Sequence, residues 1–103
     1  TWHRLGLGGS RVAEVLRSGP RALTLIRLPE GVRFPEHLHG GPEVALILEG
    51  RLLEGPDVLG TGDVKAQAPG QAHAPVGAGP GECLVLAHLE GAPRFRGWRR
   101  LLG

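Results

Sequence analysis

Short apolar runs alternate with polar residues along most of this chain, and glycine or proline separates each run from the next. Residues 22–28, 43–49 and 82–89 have the period of two that is typical of β-strands. Residues 11–18 fit a strand or a helical turn, and the strand is favoured because residues 22–28 would be its hairpin partner. Further strands are predicted at residues 32–39, 51–54, 63–67 and 73–76, with a last one at 95–102. With no long helical pattern and no internal repeat, about eight to ten short strands predict an all-β barrel or jelly roll.

The strand predicted at residues 43–49 has two different faces. Val44, Leu46 and Leu48 form a wholly apolar face, whereas the other face carries Glu43, Ala45, Ile47 and Glu49. The second face resembles a barrel interior that contains one carboxylate. Residues 82–89 are largely apolar on both faces. Because an exposed apolar face needs a cover, we expect a homodimer.

Length and charge exclude several classes of protein. The chain has 103 residues, which predicts one domain over residues 1–103, with lead-in strands in 1–20 and a closing strand in 94–103. A net charge of +2, spread evenly, does not predict nucleic-acid binding. The basic cluster near the C-terminus is interpreted as a solvated strand face and contains Arg94, Arg96, Arg99 and Arg100.

No apolar run approaches the ~20 residues that span a bilayer, so no membrane partner is expected. The single cysteine, Cys83, excludes an internal disulfide and favours the cytoplasm.

Two blocks of the sequence carry the candidate chemistry. The first is Gly31-x5-His37-x-His39-x3-Glu43-x6-Gly50, and the second is Gly62-Asp63 followed by Pro69-Gly70-Gln71-Ala72-His73. His37 and His39 lie two residues apart on a predicted strand, so they project to the same side. Glu43 opens the paired strand and can face them across the hairpin. His73 would come from another hairpin, so a bound metal would join two parts of the fold.

Imidazole and carboxylate ligands suit zinc, iron(II), manganese, nickel or copper. Three histidines and one glutamate complete a tetrahedral zinc site, whereas a six-coordinate metal with the same ligands would keep two positions for water, substrate or dioxygen. The sequence leaves this choice open. The ligands predict one divalent metal ion per chain, and the preference for zinc over iron, manganese and nickel comes only from a family resemblance that the same residues carry.

The first block resembles the first cupin signature, G-x5-H-x-H-x3-E-x6-G, and matches it at every defined position. The second signature, G-x5-P-x-G-x2-H-x3-N, keeps Gly62, Gly70 and His73, while Ala68 replaces its proline and Gly77 its asparagine. The resemblance covers residues 22–89, with core motifs at 31–50 and 62–76. It implies a single-domain cupin, a double-stranded β-helix or jelly-roll barrel, whose metal ligands are His37, His39, Glu43 and His73.

A narrower resemblance links residues 37–52, 62–63, 68–70, 73–75 and 81–83 to the cupin domain of ChrR-type anti-sigma factors. In that family an N-terminal helical zinc domain holds the sigma factor. The C-terminal zinc cupin is needed for its release in response to singlet oxygen or related oxidants. No His-x3-Cys-x2-Cys pattern precedes the cupin block here. We therefore expect either a fragment or a stand-alone ChrR-like cupin.

Three functions stay open at this point. The favoured one, on the ChrR resemblance, is a metal-binding regulatory or sensor domain that responds to oxidative stress or a small ligand. The alternative is a small metalloenzyme, namely a dioxygenase, isomerase or decarboxylase acting on a small organic acid or thiol. The third is a sugar- or effector-binding module, which the few aromatic residues do not favour. A small molecule in the barrel, and a protein partner if the domain is part of a regulator, are both expected partners.

A few further residues are candidates for roles around the metal. Glu49 shares a predicted face with Glu43, near the far end of the strand, and is a candidate base that would act beside the metal without binding it. The polar groups available to a ligand in the barrel are Arg27, Arg33, Lys65 and Gln67. Cys83 shares a face with Val85 and Ala87 and is predicted to point into the barrel as a small hydrophobic residue. The alternative for Cys83 is an oxidation-sensitive thiol near the metal.

Overall fold

The computed structural model describes residues 2–5, 9–34, 41–69 and 74–91 of the chain. These residues form nine strands: β1 (His3–Leu5), β2 (Ser10–Ser18), β3 (Arg21–Leu28), β4 (Glu43–Glu49), β5 (Arg51–Glu54), β6 (Asp57–Gly60), β7 (Val64–Gln67), β8 (Val76–Gly77) and β9 (Cys83–Glu90). The predicted all-β class is therefore confirmed. None of the described residues forms a helix long and apolar enough to cross a bilayer.

The strands form two antiparallel sheets. The larger sheet has six strands in the order β1-β2-β3-β9-β4-β7, and the smaller has three in the order β6-β5-β8. Short backbone contacts connect the sheets, among them the hydrogen bond from Phe34 N to Pro75 O at 2.7 Å. Gly77 in β8 is held from both sides. On one side its N donates to Val32 O at 3.0 Å and its O accepts from Gly31 N at 2.8 Å, and on the other it pairs with Leu52 of β5.

The predicted alternation of buried and outward side chains is confirmed in β3 and β9, and in β4 it holds only in part. In β3 and β9 every second residue is buried, and in β4 the buried positions are Glu43 and Ile47. The core between the sheets contains Val12, Ala22, Ile26, Leu28, Phe34, Ile47, Leu52, Cys83, Val85, Ala87 and Leu89. Burying these side chains supplies the main favourable term in folding.

Several expectations differ from the described structure or fall outside it. Strand β6 (Asp57–Gly60) was not predicted, since turn signals flank its four residues on both sides and only Val58 and Leu59 are apolar. The extended segment predicted at 32–39 is described only as far as residue 34, where Arg33 makes an isolated bridge to Val76. The predicted closing strand and the arginine cluster within it lie outside the described residues.

The outward side of the six-stranded sheet carries two rows of mostly aliphatic side chains, which we call the outer face. Cross-strand pairing aligns one row as Leu16, Leu23, His88, Val44 and Ala66, and the other as Leu25, Leu86, Leu46 and Val64. Leu16 is 60% exposed and Val64 is 61% exposed. Ion pairs border the face, including Arg27–Glu82 at 2.6 Å and Arg21–Glu90 at 3.6 Å.

Candidate metal centre

Glu43 is the one predicted metal ligand among the described residues. It is the first residue of β4, and its side chain is buried with 5% exposure. The backbone before it is tightly placed, because a Cβ on Gly41 would lie 2.3 Å from Glu90 O, and Glu90 N donates to Pro42 O at 3.2 Å. The end of β9 therefore fixes where β4 begins. Burying a carboxylate in an apolar barrel destabilises the fold unless partner groups compensate its charge, so this position accepts a glutamate only with specific partners.

The other three predicted ligands, His37, His39 and His73, lie outside the described residues. The described ends of the two segments that carry them come together, since Phe34 and Pro75 are hydrogen bonded and both line the same cavity as Glu43. Within the described part of the chain, no group of three or more His, Cys, Asp and Glu side chains is placed to hold a metal ion. The four-ligand set therefore stays a prediction.

The cavity between the two sheets has a volume of about 30 Å³. This is room for about two water molecules, since one needs roughly 10–15 Å³. The described lining is apolar over most of its extent and polar at one end, and consists of Ile26, Leu28, Phe34, Glu43, Ala45, Leu52, Glu54, Leu59, Lys65, Gln67, Pro75 and Val85. A small apolar cavity with a few convergent polar groups is the usual form of a ligand or metal site.

Two polar contacts of cavity-lining residues connect the sheets. Gln67 Nε2 in β7 donates to Glu54 Oε1 in β5 at 3.1 Å. Lys65 Nζ, also in β7, donates to Asp57 Oδ2 in β6 at 3.0 Å. Lys65 and Gln67 were among the polar candidates of the sequence, and both line the cavity. Glu54 was not singled out, although its spacing of two from the buried Leu52 would have placed it on the inner face.

The remaining polar candidates point elsewhere. Arg27 pairs with Glu82 and lies over the Trp2 ring at 5.3 Å from its centroid, while Arg33 Nη1 donates to Ala74 O at 3.0 Å. The expectation for Glu49 is wrong, since it is exposed. The register between β4 and β9 shifts between Ile47 and Glu49, which breaks the alternation that would have carried Glu49 to the inner face.

Cys83 lies in the core with 0% exposure, and burial raises the pKa of its thiol to about 11 from an ordinary 9.0. The prediction that it points into the barrel is confirmed. The thiolate is the reactive form of cysteine, so a raised pKa and exclusion of reagent both slow its oxidation. The geometry therefore favours the packing role over that of a reactive thiol.

We expect Cys83 not to react with a thiol-specific reagent such as DTNB in the native protein at pH 8, and to react once per chain in denaturant. Because the folded pKa is above the unfolded one, the stability linked to this thiol is present below about pH 9 and is lost as pH rises through about 11. Time-resolved absorbance at pH 8 and 10 measures the reaction. Rapid native labelling at pH 8 would restore the redox-active alternative.

Comparison with known proteins identifies the family. A model of the ChrR cupin-like domain matches residues 2–92, nearly the whole chain. The chain belongs to the ChrR cupin-like family. The anti-sigma-E factor ChrR of Cereibacter sphaeroides is 33% identical to it over 94 residues, which is 91% of this chain and 44% of ChrR. This ChrR-like domain thus spans less than half the length of that relative.

Solved structures support the same assignment. The ChrR-like domain resembles a chain in the crystal structure of Rhodobacter sphaeroides SigE in complex with the anti-sigma ChrR, with a TM-score of 0.79, 32% identity and coverage of 86% of this chain and 48% of that one. An RmlC-like cupin from Shewanella frigidimarina aligns with a TM-score of 0.77 at 19% identity, covering 91% of this chain and 86% of that one. The second likeness shows the fold alone, and it confirms the predicted cupin fold.

Proposed function

We propose that this chain is a metal-binding regulatory cupin domain that responds to oxidative stress or to a small ligand. The observation that carries the proposal is the match of nearly the whole chain to the ChrR cupin-like family, with an anti-sigma factor as a relative. The related crystal structure contains a sigma factor, so a protein partner of that kind is part of the proposal. A reducing cytoplasm is the proposed compartment, because the buried Cys83 needs no oxidising environment.

The proposed metal is one zinc ion held by His37, His39, Glu43 and His73. The buried carboxyl of Glu43 at one end of the cavity fits a zinc ligand, because it faces a small enclosed space. Phe34 and Pro75 lie at the same cavity and flank the two segments that carry the histidines. Bound zinc would connect these segments to β4 and supply a Lewis-acidic centre whose loss or change of ligand alters the barrel.

The cavity also bears on the alternative of an enzyme acting on an organic acid. Its described lining holds two carboxylates, Glu43 and Glu54, and one ammonium, Lys65, which is already paired with Asp57. This arrangement does not favour an anionic substrate in a space of about 30 Å³. We therefore place the regulatory function ahead of the metalloenzyme.

The deciding experiment is elemental analysis of untagged protein purified without added metal. We expect about one zinc per chain, and less than about a tenth of that in the variant His73→Ala, because removal of one of four ligands opens the site. The matched control is His88→Ala, which removes a histidine from the outer face and should keep its zinc. Iron or manganese in place of zinc would indicate open coordination positions and favour the enzyme. Absence of any metal would contradict the proposal.

A homodimer formed through the outer face completes the proposal. The two mostly aliphatic rows of that face contain side chains that are more than half exposed, and the ion-paired side chains that border it carry both positive and negative charge. A surface with mixed charges at its rim can meet a copy of itself in a twofold arrangement without net repulsion. A second copy would cover the apolar rows that a single chain leaves in water.

A further inference from the structure

Glu54 is a second buried carboxylate at the polar end of the cavity. It is the last residue of β5, and its exposure is only 8%. Leu52, two residues earlier, points the same way and belongs to the core. Glu54 therefore faces the barrel interior, where a charged group is costly unless other groups compensate it.

Glu54 is connected to the strand position beside Glu43. Gln67 Nε2 donates to Glu54 Oε1 at 3.1 Å, and Gln67 is the cross-strand partner of Glu43 in the β4–β7 ladder. Directly paired residues have Cβ atoms about 5 Å apart on the same face. One glutamine side chain thus separates the carboxylate of Glu54 from the strand position of the proposed zinc ligand.

The charges at this end suit a divalent cation. Glu43 and Glu54 contribute two negative charges to the described lining, and the positive charge of Lys65 is shared with Asp57. A cation with two positive charges at Glu43 would balance the pair. In a mostly apolar cavity such a charge acts over a longer distance than it does in water.

We infer that Glu54 is a positioning residue of the metal centre: it is not one of the four ligands, but Gln67 holds it one side chain away from the strand position of Glu43, and it raises the affinity of the site for zinc. This inference rests on the proposed zinc site. Groups that hydrogen bond to metal ligands typically change metal affinity 10–100-fold when they are removed. We expect an effect in that range for Glu54, because its charge lies only one side chain further away in a mostly apolar cavity.

The test compares zinc dissociation constants, measured by competition with a chromophoric chelator, for the full chain and its variants. We expect Glu54→Gln to bind one zinc per chain about 10–100-fold more weakly. Gln67→Met, which keeps the side-chain volume and removes the amide donor, should show a loss in the same direction. Glu54→Asp, which restores the charge, should recover part of the affinity. The matched control Glu49→Gln makes the same chemical change at an exposed position of β4 and should leave the constant within about twofold.

Two further readouts separate positioning from a structural role. The metal-free forms of Glu54→Gln and of the unmodified chain should melt at similar temperatures, and the cobalt(II)-substituted forms should differ in their visible absorption spectra. An unchanged dissociation constant in Glu54→Gln would overturn this inference alone. An equal loss in Glu49→Gln would reduce it to an effect of net charge and overturn it as well. If the unmodified chain binds no zinc, the proposed function fails, and this inference fails with it.

Discussion

The substitution Gly77→Ala is expected to lower the free energy of unfolding by about 3 kcal/mol, at the upper end for overpacking. For a domain of this size, that corresponds to a fall of roughly 12 °C or more in melting temperature. A Cβ at residue 77 would lie 2.3 Å from Pro29 O, 2.9 Å from Leu28 O and 3.0 Å from Pro29 C. All three atoms are backbone, so no side chain can rotate away to make room.

The surrounding hydrogen bonds prevent the backbone from relaxing cheaply. Gly77 exchanges hydrogen bonds with Gly31 and Val32 on one side, and pairs with Leu52 of β5 on the other. Moving the strand by an ångström would weaken several of these bonds, each of which contributes about 1 kcal/mol net. The Asn side chain that the second cupin signature has at this position would add still more volume, so Gly77→Asn should be at least as destabilising.

Gly60→Ala is the matched control for this prediction. Gly60 lies in β6 of the same sheet, and a Cβ there would meet only Asp63 Oδ2 at 3.9 Å, an ordinary contact. We expect its effect on the free energy of unfolding to stay within about 0.5 kcal/mol, or to be slightly stabilising because alanine restricts the unfolded chain. Thermal and urea unfolding followed by circular dichroism measure both variants. Equal stability of Gly77→Ala and the unmodified chain would contradict the close packing against Pro29.

The buried face of each major strand could be predicted from the sequence because the period of two is local. In β4 one face is wholly apolar (Val44, Leu46 and Leu48), and the other carries a carboxylate with aliphatic neighbours (Glu43, Ala45 and Ile47). The face with Glu43 was predicted to lie inside the barrel, and Glu43 and Ile47 are buried there. Cys83 follows in the same way from its spacing to Val85 and Ala87. In these strands the pattern and the tertiary packing agree.

Features that depend on distant parts of the chain could not be predicted. The register shift that exposes Glu49 arises where β4 pairs with β9, which is more than thirty residues later in the chain. The spacing of Glu54 from Leu52 predicts its inward direction, but its partner Gln67 comes from the opposite sheet, and the sequence around Arg51–Glu54 contains no sign of that partner. The close approach of Gly77 to Pro29 is likewise a contact between segments far apart in sequence. Local periodicity predicts which way a side chain points, whereas long-range register decides what it meets.

The substitution Val64→Lys is expected to convert the proposed homodimer to a monomer at micromolar concentration. Val64 is 61% exposed at the β7 edge of the outer face, where its row continues through Leu46, Leu86 and Leu25. In a twofold dimer the added ammonium would occur twice, and each would be desolvated against aliphatic side chains. A cost of about 3 kcal/mol raises the dissociation constant more than 100-fold.

Val58→Lys is the matched control, because Val58 is 57% exposed but lies in β6 of the smaller sheet. Light scattering after size exclusion should give twice the 10.9 kDa of one chain for the unmodified protein and for Val58→Lys, and a single-chain mass for Val64→Lys. A monomeric unmodified protein would refute the homodimer. Dissociation by Val58→Lys instead would move the interface to the three-stranded sheet. Because both sites are already solvated in one chain, neither lysine should change the melting temperature of the monomer by more than a few degrees, so a change in mass reports association and not unfolding.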